Sequence, residues 1–309
     1  MIAGGAVAAP KGCTMKFVKM NGAGNDYVYF DLMGEYLAHE EELIRAIPRV
    51  SDRHFGVGGD GVVFLMPSRV ADVRMRMFNL DGSEGKMCGN ALRCIGKLAY
   101  ERGYVKSTSL TVETASGIKT LDLFVEDGVC VGASAGMGRA YFAADEVPID
   151  TAKLPAGFAP VATEACGDVY TDIPLSSGGK SWSGVAVSMG NPHIVIFTDE
   201  NVDTLNLEKY GAPLETDPLF PDKTNVEFVN VVSPTELKMR VWERGSGETL
   251  ACGTGSCATV SAAVAKGICR AGDEVSVVLR GGVLKVTYNA DGVTMSGGAE
   301  INFTGDVTI

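Results

Sequence analysis

Histidine is scarce in this chain of 309 residues, which holds only His39, His54 and His193. A serine-hydrolase triad therefore has little to draw on, and no G-x-S-x-G elbow occurs. Basic charge is also short, with 27 Lys+Arg against 38 Asp+Glu and a formal net charge of −11. Nucleic acid or an anionic membrane would need a basic footprint, and no Lys/Arg-rich run supplies one. No apolar run approaches the roughly 18 residues that suggest a membrane span, so a soluble protein is expected. Eight cysteines, at 13, 88, 94, 130, 166, 252, 257 and 269, are too sparse for a disulfide-stapled secreted domain. Reduced thiols in a cytoplasm are the expectation. Residues 1–14 lack the charged start and long apolar run of a signal peptide. They are expected to form a disordered tail, with Met15 as an alternative start.

What the chain does have is internal repetition, the signature that most changes a reading of architecture. Sliding it by 164 positions places Val73-Arg-Met-Arg-Met-Phe78 on Leu237-Lys-Met-Arg-Val-Trp242, Glu84 on Glu248, and Cys88-Gly89 on Cys252-Gly253. The same shift places Asp127-Gly-Val on Asp291-Gly-Val, and a shift of 166 aligns Gly24-Asn25 with Gly190-Asn191. The common order of these matches implies duplication into two similar halves.

Each half follows one grammar. Alternation at Val73, Met75, Met77 and at Leu237, Met239, Val241 describes a half-buried strand. Asp81-Gly-Ser and Arg244-Gly-Ser-Gly then supply turn chemistry. A helix with Leu92, Ile95, Leu98 and Ala99 on one face ends at Gly103, and an Ala-rich helix from Cys257 to Lys266 ends at Gly267. Alternating strands follow at 110–114, 118–125, 275–279 and 283–288, so the expected class is α+β with largely antiparallel sheet. Asp145–Pro160 and Ser176–Gly184 read as loops.

Cys88 and Cys252 each stand just before Gly and a first helical turn, where free N–H groups and the helix dipole favour negative charge. A thiolate is stabilised in such a place, so the expected thiol pKa falls towards neutrality. Folding about a pseudo-twofold would set the two loops face to face. One thiolate could then take a proton from a carbon while the other thiol returns one to the opposite face, inverting a stereocentre. Buried Cys is commonly structural, and Cys94 and Cys257 read as core. A rival reading makes Cys88, Cys94, Cys252 and Cys257 a zinc site of a binding protein, but C-x5-C and C-x4-C with the second Cys on a helix suit zinc poorly.

Other motifs are weaker. Gly56-Val-Gly-Gly-Asp-Gly61 precedes the strand Val62–Leu65 instead of joining a strand to a helix, so it reads as a turn and not a dinucleotide fingerprint. Gly179-Lys180-Ser181 resembles the end of a P-loop, but Pro174 stands where its first glycine belongs. His193, in Gly-Asn-Pro-His, sits in a turn-like setting and reads equally as a site residue or a satisfied loop residue.

Asn79-Leu-Asp-Gly-Ser-Glu-Gly-Lys-Met-Cys88-Gly-Asn-Ala-Leu-Arg-Cys94 and Glu243-Arg-Gly-Ser-Gly-Glu-Thr-Leu-Ala-Cys252-Gly-Thr-Gly resemble the paired signatures of the diaminopimelate epimerase family. Asn21-Gly-Ala-Gly-Asn-Asp26 and Ser188-Met-Gly-Asn-Pro-His193 are similar to its other landmarks, and the likeness runs from about Met15 to Ile309. The resemblance implies cofactor-independent interconversion of LL- and meso-2,6-diaminopimelate for lysine and peptidoglycan synthesis. It implies two α/β domains, each a mainly antiparallel sheet curled round a central helix, with the site in the cleft between them. The expected division is 15–132 with 298–309, and 133–297. Cys88 and Cys252 would be the acid/base pair. Gly89, Asn90, Gly253 and Thr254 would offer N–H groups to the carboxylate beside the reacting carbon, while Asn25, Asn79, Asn191, Asn225, Glu243 and Arg244 would fix the zwitterion's charged groups. Arg244 can hold a carboxylate bidentately. His193 would support the site. No metal or cofactor is implied, and a homodimer is allowed. Two departures are visible: Ala91 where Gly is frequent, and Gly61 where some members carry a substrate-touching Gln, whose contact would have to come from elsewhere or from water. A proline- or histidine-racemase-like enzyme would use the same thiols with a different pocket.

Overall fold

A computed structural model describes residues 13–34 and 38–309. Of the expected tail, residues 1–12 lie outside the described residues, but Thr14 is not part of any tail: it opens the first strand. The first half runs β1 (Thr14–Gly22), β2 (Asn25–Asp31), α1 (Glu40–Ser51), β3 (Gly61–Met66), β4 (Val73–Asn79), β5 (Glu84–Gly85), α2 (Gly89–Glu101), β6 (Ser109–Thr114), β7 (Gly117–Glu126) and β8 (Val129–Gly138). A small hairpin of β9 (Val161–Thr163) and β10 (Gly167–Val169) and then β11 (Ile173–Ser177) follow. The second half runs β12 (Lys180–Ser188), β13 (Pro192–Phe197), α3 (Leu207–Glu215), β14 (Asn225–Ser233), β15 (Glu236–Glu243), β16 (Gly247–Thr249), α4 (Gly253–Ala265), β17 (Glu274–Leu279), β18 (Gly282–Asn289) and β19 (Gly292–Gly298). The chain ends on β20 (Glu300–Thr308).

The pairings repeat strand for strand. In the first half β1–β2 is antiparallel, β2–β3 parallel, β3–β4 antiparallel and β4–β6 parallel. In the second, β12–β13, β13–β14, β14–β15 and β15–β17 take the same senses in the same order. The β6–β7–β8 and β17–β18–β19 meanders close each half, and β8 pairs antiparallel with β19 to join them. β20 lies antiparallel along β1, so the end of the chain returns to the first half. The class is α+β.

Each sheet curls round one helix and buries it along most of its length. From Gly255 to Ala265, α4 is buried at every position, as expected of a helix made almost wholly of Ala, Val, Cys, Ser and Thr. Its buried serine hydroxyls bond back along the helix, Ser256 donating to Cys252 O and Ser261 to Cys257 O at 2.8 Å, while Thr259 donates to Met239 Sδ at 3.0 Å. It starts at Gly253, one turn earlier than the Ala-rich run suggested. In the first half α2 is buried from Gly89 to Ala99 and packs with Tyr29, Val63, Leu110 and Leu121 of the surrounding strands. The outer faces carry α1, against Phe30, Phe64 and Met66, and α3, against Phe228 and Trp182.

One loop expectation fails. Ser176–Gly184 is a hairpin in which β11 pairs with β12 around Gly178-Gly179, both at positive φ. Two glycines in that conformation make the tight turn whose twist suits a two-residue hairpin; Ser176, Ser181 and Ser183 face outward, while Ser177 is buried and accepts from Trp182 Nε1 at 3.0 Å.

Candidate active site

Cys88 and Cys252 occupy the last extended position before α2 and α4, at φ −137° and −125°. Each helix then begins on glycine, and the two glycines share a neighbour. A Cβ on Gly89 would lie 2.7 Å from Cε of Met295, and one on Gly253 would lie 3.2 Å from the same atom. The buried Met295 of β19 thus separates the two helix starts by the width of one side chain. A Cβ at either start would have to displace the Met295 methyl group.

The sulfurs sit in different company. Cys252 is 6% exposed; its Sγ accepts from Gly255 N–H at 3.3 Å and lies 3.5 Å from Thr254 Oγ1. The Thr254 hydroxyl is reached by Asn191 Nδ2 at 3.4 Å, and Asn191 Oδ1 accepts from His193 Nε2 at 3.1 Å. His193 Nδ1 lies 2.7 Å from Glu227 Oε1, and both side chains are wholly buried. The contacts therefore run without a break from Glu227 to the Cys252 sulfur. Cys88 Sγ instead donates to Asn25 Oδ1 at 3.3 Å.

Glu243 faces both sulfurs: its charge opposes ionisation of Cys88 and of Cys252. Burial holds the Glu243 carboxyl above its ordinary range, although Thr249 donates to it. Asn225 accepts from Arg244 N–H at 2.9 Å and donates to Pro192 O at 2.8 Å, so it fixes the start of the Arg244 turn. The Arg244 guanidinium donates to Asp222 O at 2.8 Å. Asn79 donates to Ser83 Oγ at 2.9 Å.

Between the halves lies a cavity of about 1070 Å³. Asn25, Arg53, Asp60, Asn79 and Asp81 line it from the first half, and Glu243, Arg244, Glu248 and Thr249 from the second. Neither cysteine is part of that lining, but Asn25, which accepts from Cys88 Sγ, and Ala251, which precedes Cys252, both are. A pocket with carboxylates and two guanidiniums suits a ligand bearing both ammonium and carboxylate groups.

The thiol pKa values run opposite to the sequence expectation. Burial pushes Cys252 well above the ordinary thiol value, reinforced by Glu243 and Glu227 and only partly opposed by Thr254 and Gly255. Burial also raises Cys88, against the opposing backbone N–H groups of Ala91 and Asn90 and the Arg93 charge. The helix-start effect is present, but desolvation exceeds it.

The sequence model for the family described as diaminopimelate epimerase matches residues 17–143 and 185–302. This chain belongs to the diaminopimelate epimerase family. Similar relatives include the diaminopimelate epimerase of Desulfovibrio desulfuricans, 46% identical over 96% of this chain and 99% of that protein. That of Methanococcus maripaludis is 43% identical over 96% of this chain and 100% of its own. Among solved structures, a Bacillus anthracis phenazine biosynthesis protein of the PhzF family is similar in fold, with TM-score 0.65 at 19% identity over 96% of this chain and 100% of that one. A hydroxyproline epimerase from Agrobacterium vitis is similar too, with TM-score 0.59 at 14% identity over 95% and 91% of the two chains.

One of the family landmarks departs from the sequence reading. His193 is not a turn residue; it lies on β13, with no exposed surface. At Gly61 a Cβ would fall 1.9 Å from Phe78 O, and its φ of +156° is one that other residues rarely adopt. No side chain fits there without moving β4, so Asp60 is the residue that presents a polar group at this corner of the cavity. Sequence reasoning missed Glu227. Its signal was a lone carboxylate amid Val226, Phe228 and Val229 on a strand otherwise destined for the core. Cys94 and Cys257 lie wholly buried on the helices, their thiols pushed up to about 11 and about 12 by burial. Among the described residues no three His, Cys, Asp or Glu side chains group to hold a metal ion.

Proposed function

We propose that this protein epimerises LL-2,6-diaminopimelate to the meso form, using Cys88 and Cys252 as the acid/base pair and no cofactor, in the supply of lysine and peptidoglycan precursors. The observation that carries this reading is the meeting of the two cysteine-preceded helix starts on Met295, with Glu243 in range of both thiols, in a chain of this family.

One sulfur, as thiolate, removes the α-proton; the electron pair stays on the carbon and spreads into the adjacent carboxylate. The opposite thiol then gives its proton to the other face, so the two sulfurs exchange protonation states in each turnover. The N–H groups at the start of α2, from Gly89 and Asn90, and of α4, from Gly253 and Thr254, point at the growing negative charge. Each such donor is typically worth a few kcal/mol once water is excluded. Arg244 and Asn79 hold the distant carboxylate, and Glu243, Asn25, Asn191 and Asn225 the ammonium groups and their surroundings. The same reading places the enzyme in the cytoplasm and allows a homodimer, which light scattering would test.

The decisive experiment is incubation in D2O with LL-diaminopimelate, proline and histidine in turn. Deuterium should enter the α position of diaminopimelate alone. Faster exchange into proline or histidine would move the protein to a different amino-acid racemase.

A further inference from the structure

We propose that Asp60 and Arg93 are positioning residues that fix the amide of Asn25 so that its oxygen, and not its NH2 group, faces the Cys88 sulfur. The inference rests on the reading of Cys88 as a reacting thiol, and it assigns work to two charged residues which that reading leaves unused.

Arg93 is a buried cation with no exposed surface and, among the described residues, no carboxylate within ion-pair distance. Its guanidinium donates to Gly298 O at 3.2 Å, to Gly89 O at 3.3 Å and to Asn90 Oδ1 at 2.9 Å. The backbone leaves room for it: a Cβ at Gly22 would come within 3.2 Å of Nη2, and one at Gly297 within 3.0 Å of the same atom. Burying an unpaired guanidinium is costly, and these hydrogen bonds to neutral oxygens offset that cost only in part. A guanidinium only donates, so it holds the Asn90 oxygen and turns the Asn90 NH2 towards Asn25 Oδ1, 3.5 Å away.

The other end is set by an anion. Asp60 Oδ1 accepts from Arg53 at 2.9 Å, while Oδ2 accepts from Asn25 Nδ2 at 2.7 Å and from Asp26 N–H at 3.1 Å. Asp26 is itself gripped by Lys19 and Arg53 at 2.5 and 2.6 Å, which anchors the whole corner. A carboxylate only accepts, so the Asn25 NH2 must point at Asp60 and its oxygen at Cys88, 3.3 Å away. Both neighbours demand the same orientation. The consequence is chemical: an acceptor beside the sulfur favours the protonated thiol, whereas an NH2 there would favour the thiolate.

The test follows Cys88 itself. Its partly buried thiol keeps some exposed surface for alkylation by iodoacetamide, read at the Cys88 peptide by mass spectrometry across pH. The charged and titratable groups that face it are Arg93 and Cys94 on α2, Tyr27 and Tyr29 on β2 and Glu243 on β15, and all stay unchanged in the variant. In Asp60→Asn, Arg53 claims the new amide's oxygen, the new NH2 faces Asn25, and the Asn25 amide turns over. The alkylation midpoint should fall by about 1 pH unit, the size expected when a donor replaces an acceptor at an ionising group. The shift should vanish when Asn25 is already Ala, because no amide is then left to turn, whereas the mere loss of a charge would still act. Exchanging the pair, in Asn25→Asp with Asp60→Asn, restores an oxygen at Cys88 and should raise the midpoint again. An unchanged midpoint, or a shift that persists in the Asn25→Ala background, overturns the proposal. Asp60 is 37% exposed, so the variant should fold, and an unchanged melting profile checks it. A second measurement needs no variant: the Asn25 side-chain NH2 should give slowly exchanging NMR resonances, and rapid exchange would overturn the fixed amide. Should Cys88→Ala turn over normally, the two-thiol reading fails instead, whatever the midpoints show.

Discussion

The two halves repeat the same run of strand pairings, yet their cysteines sit in unlike surroundings. Beside Cys252 stand Glu243 and the buried Glu227–His193 pair, joined to it through Asn191 and Thr254. Beside Cys88 stand the Asn25 oxygen and the buried Arg93. At the position matching Arg93 the second half has Cys257, and at the position matching Asn225 the first half has Gly61. Duplication reproduced the backbone and with it two helix starts aimed at one point. Side chains then made the point chemically two-sided. A substrate with a stereocentre presents different groups to its two faces, so a symmetric site could not hold it and act on both.

The comparison breaks most completely if either sulfur is dispensable. Cys88→Ala and Cys252→Ala should each reduce epimerisation by about 10³-fold or more, as expected for loss of a direct acid/base group. Melting should stay close to that of the parent, and near-normal turnover by either variant would refute the pairing.

Next comes the buried pair found in the second half only. Glu227→Ala leaves His193 without its partner at a site with no exposed surface, and should cost about 3–5 kcal/mol of stability in urea unfolding. Replacing the exposed Asp81 by Ala in the first half should cost within about 0.5 kcal/mol. Equal costs would show that the Glu227 site is not special.

Making the halves more alike is the third way to probe them. Gly61→Asn gives the first half the residue that the second carries as Asn225, but its Cβ meets Phe78 O. A loss of about 1–3 kcal/mol is expected, visible as a lower melting temperature, with no gain in substrate affinity. An undiminished melting temperature would show that β3 and β4 can part.

The smallest effect concerns what the halves share. Both thiols are raised by burial, so at neutral pH the basic form of either is scarce. Raising the pH below those pKa values increases the thiolate fraction about tenfold per unit, and kcat/KM should climb into the alkaline range before loss of the second thiol's proton turns it down. A profile already flat between pH 6 and 8 would mean that one thiol ionises far lower.

Much of the frame was legible in the chain. Period-2 alternation located β4, β6, β7, β15, β17 and β18, because a strand's two faces meet different solvents and local composition records it. The 164-residue repeat paired the cysteines, and Gly103 and Gly267 marked where the two central helices ended. The Ser176–Gly184 hairpin was read as a loop because its outward face is polar, and polarity alone does not separate an exposed strand from a loop. His193 looked like a turn residue from its Gly-Asn-Pro neighbours, but strands distant in sequence enclose it. The motifs around Glu227, Asp60 and Arg93 do not state their roles, since each depends on a partner in another element.

The sequence by itself determined the duplication, the α+β class, the two cysteine-led helix starts and the family, because these are written in periods and motifs that act over a few residues. Only the tertiary structure decided that desolvation outweighs the helix dipole at both sulfurs, that no side chain fits at position 61, and that Cys88 and Cys252 face opposite kinds of neighbour. Burial and charge at a point are sums over everything packed around it, and that packing exists only once the two halves have closed on each other.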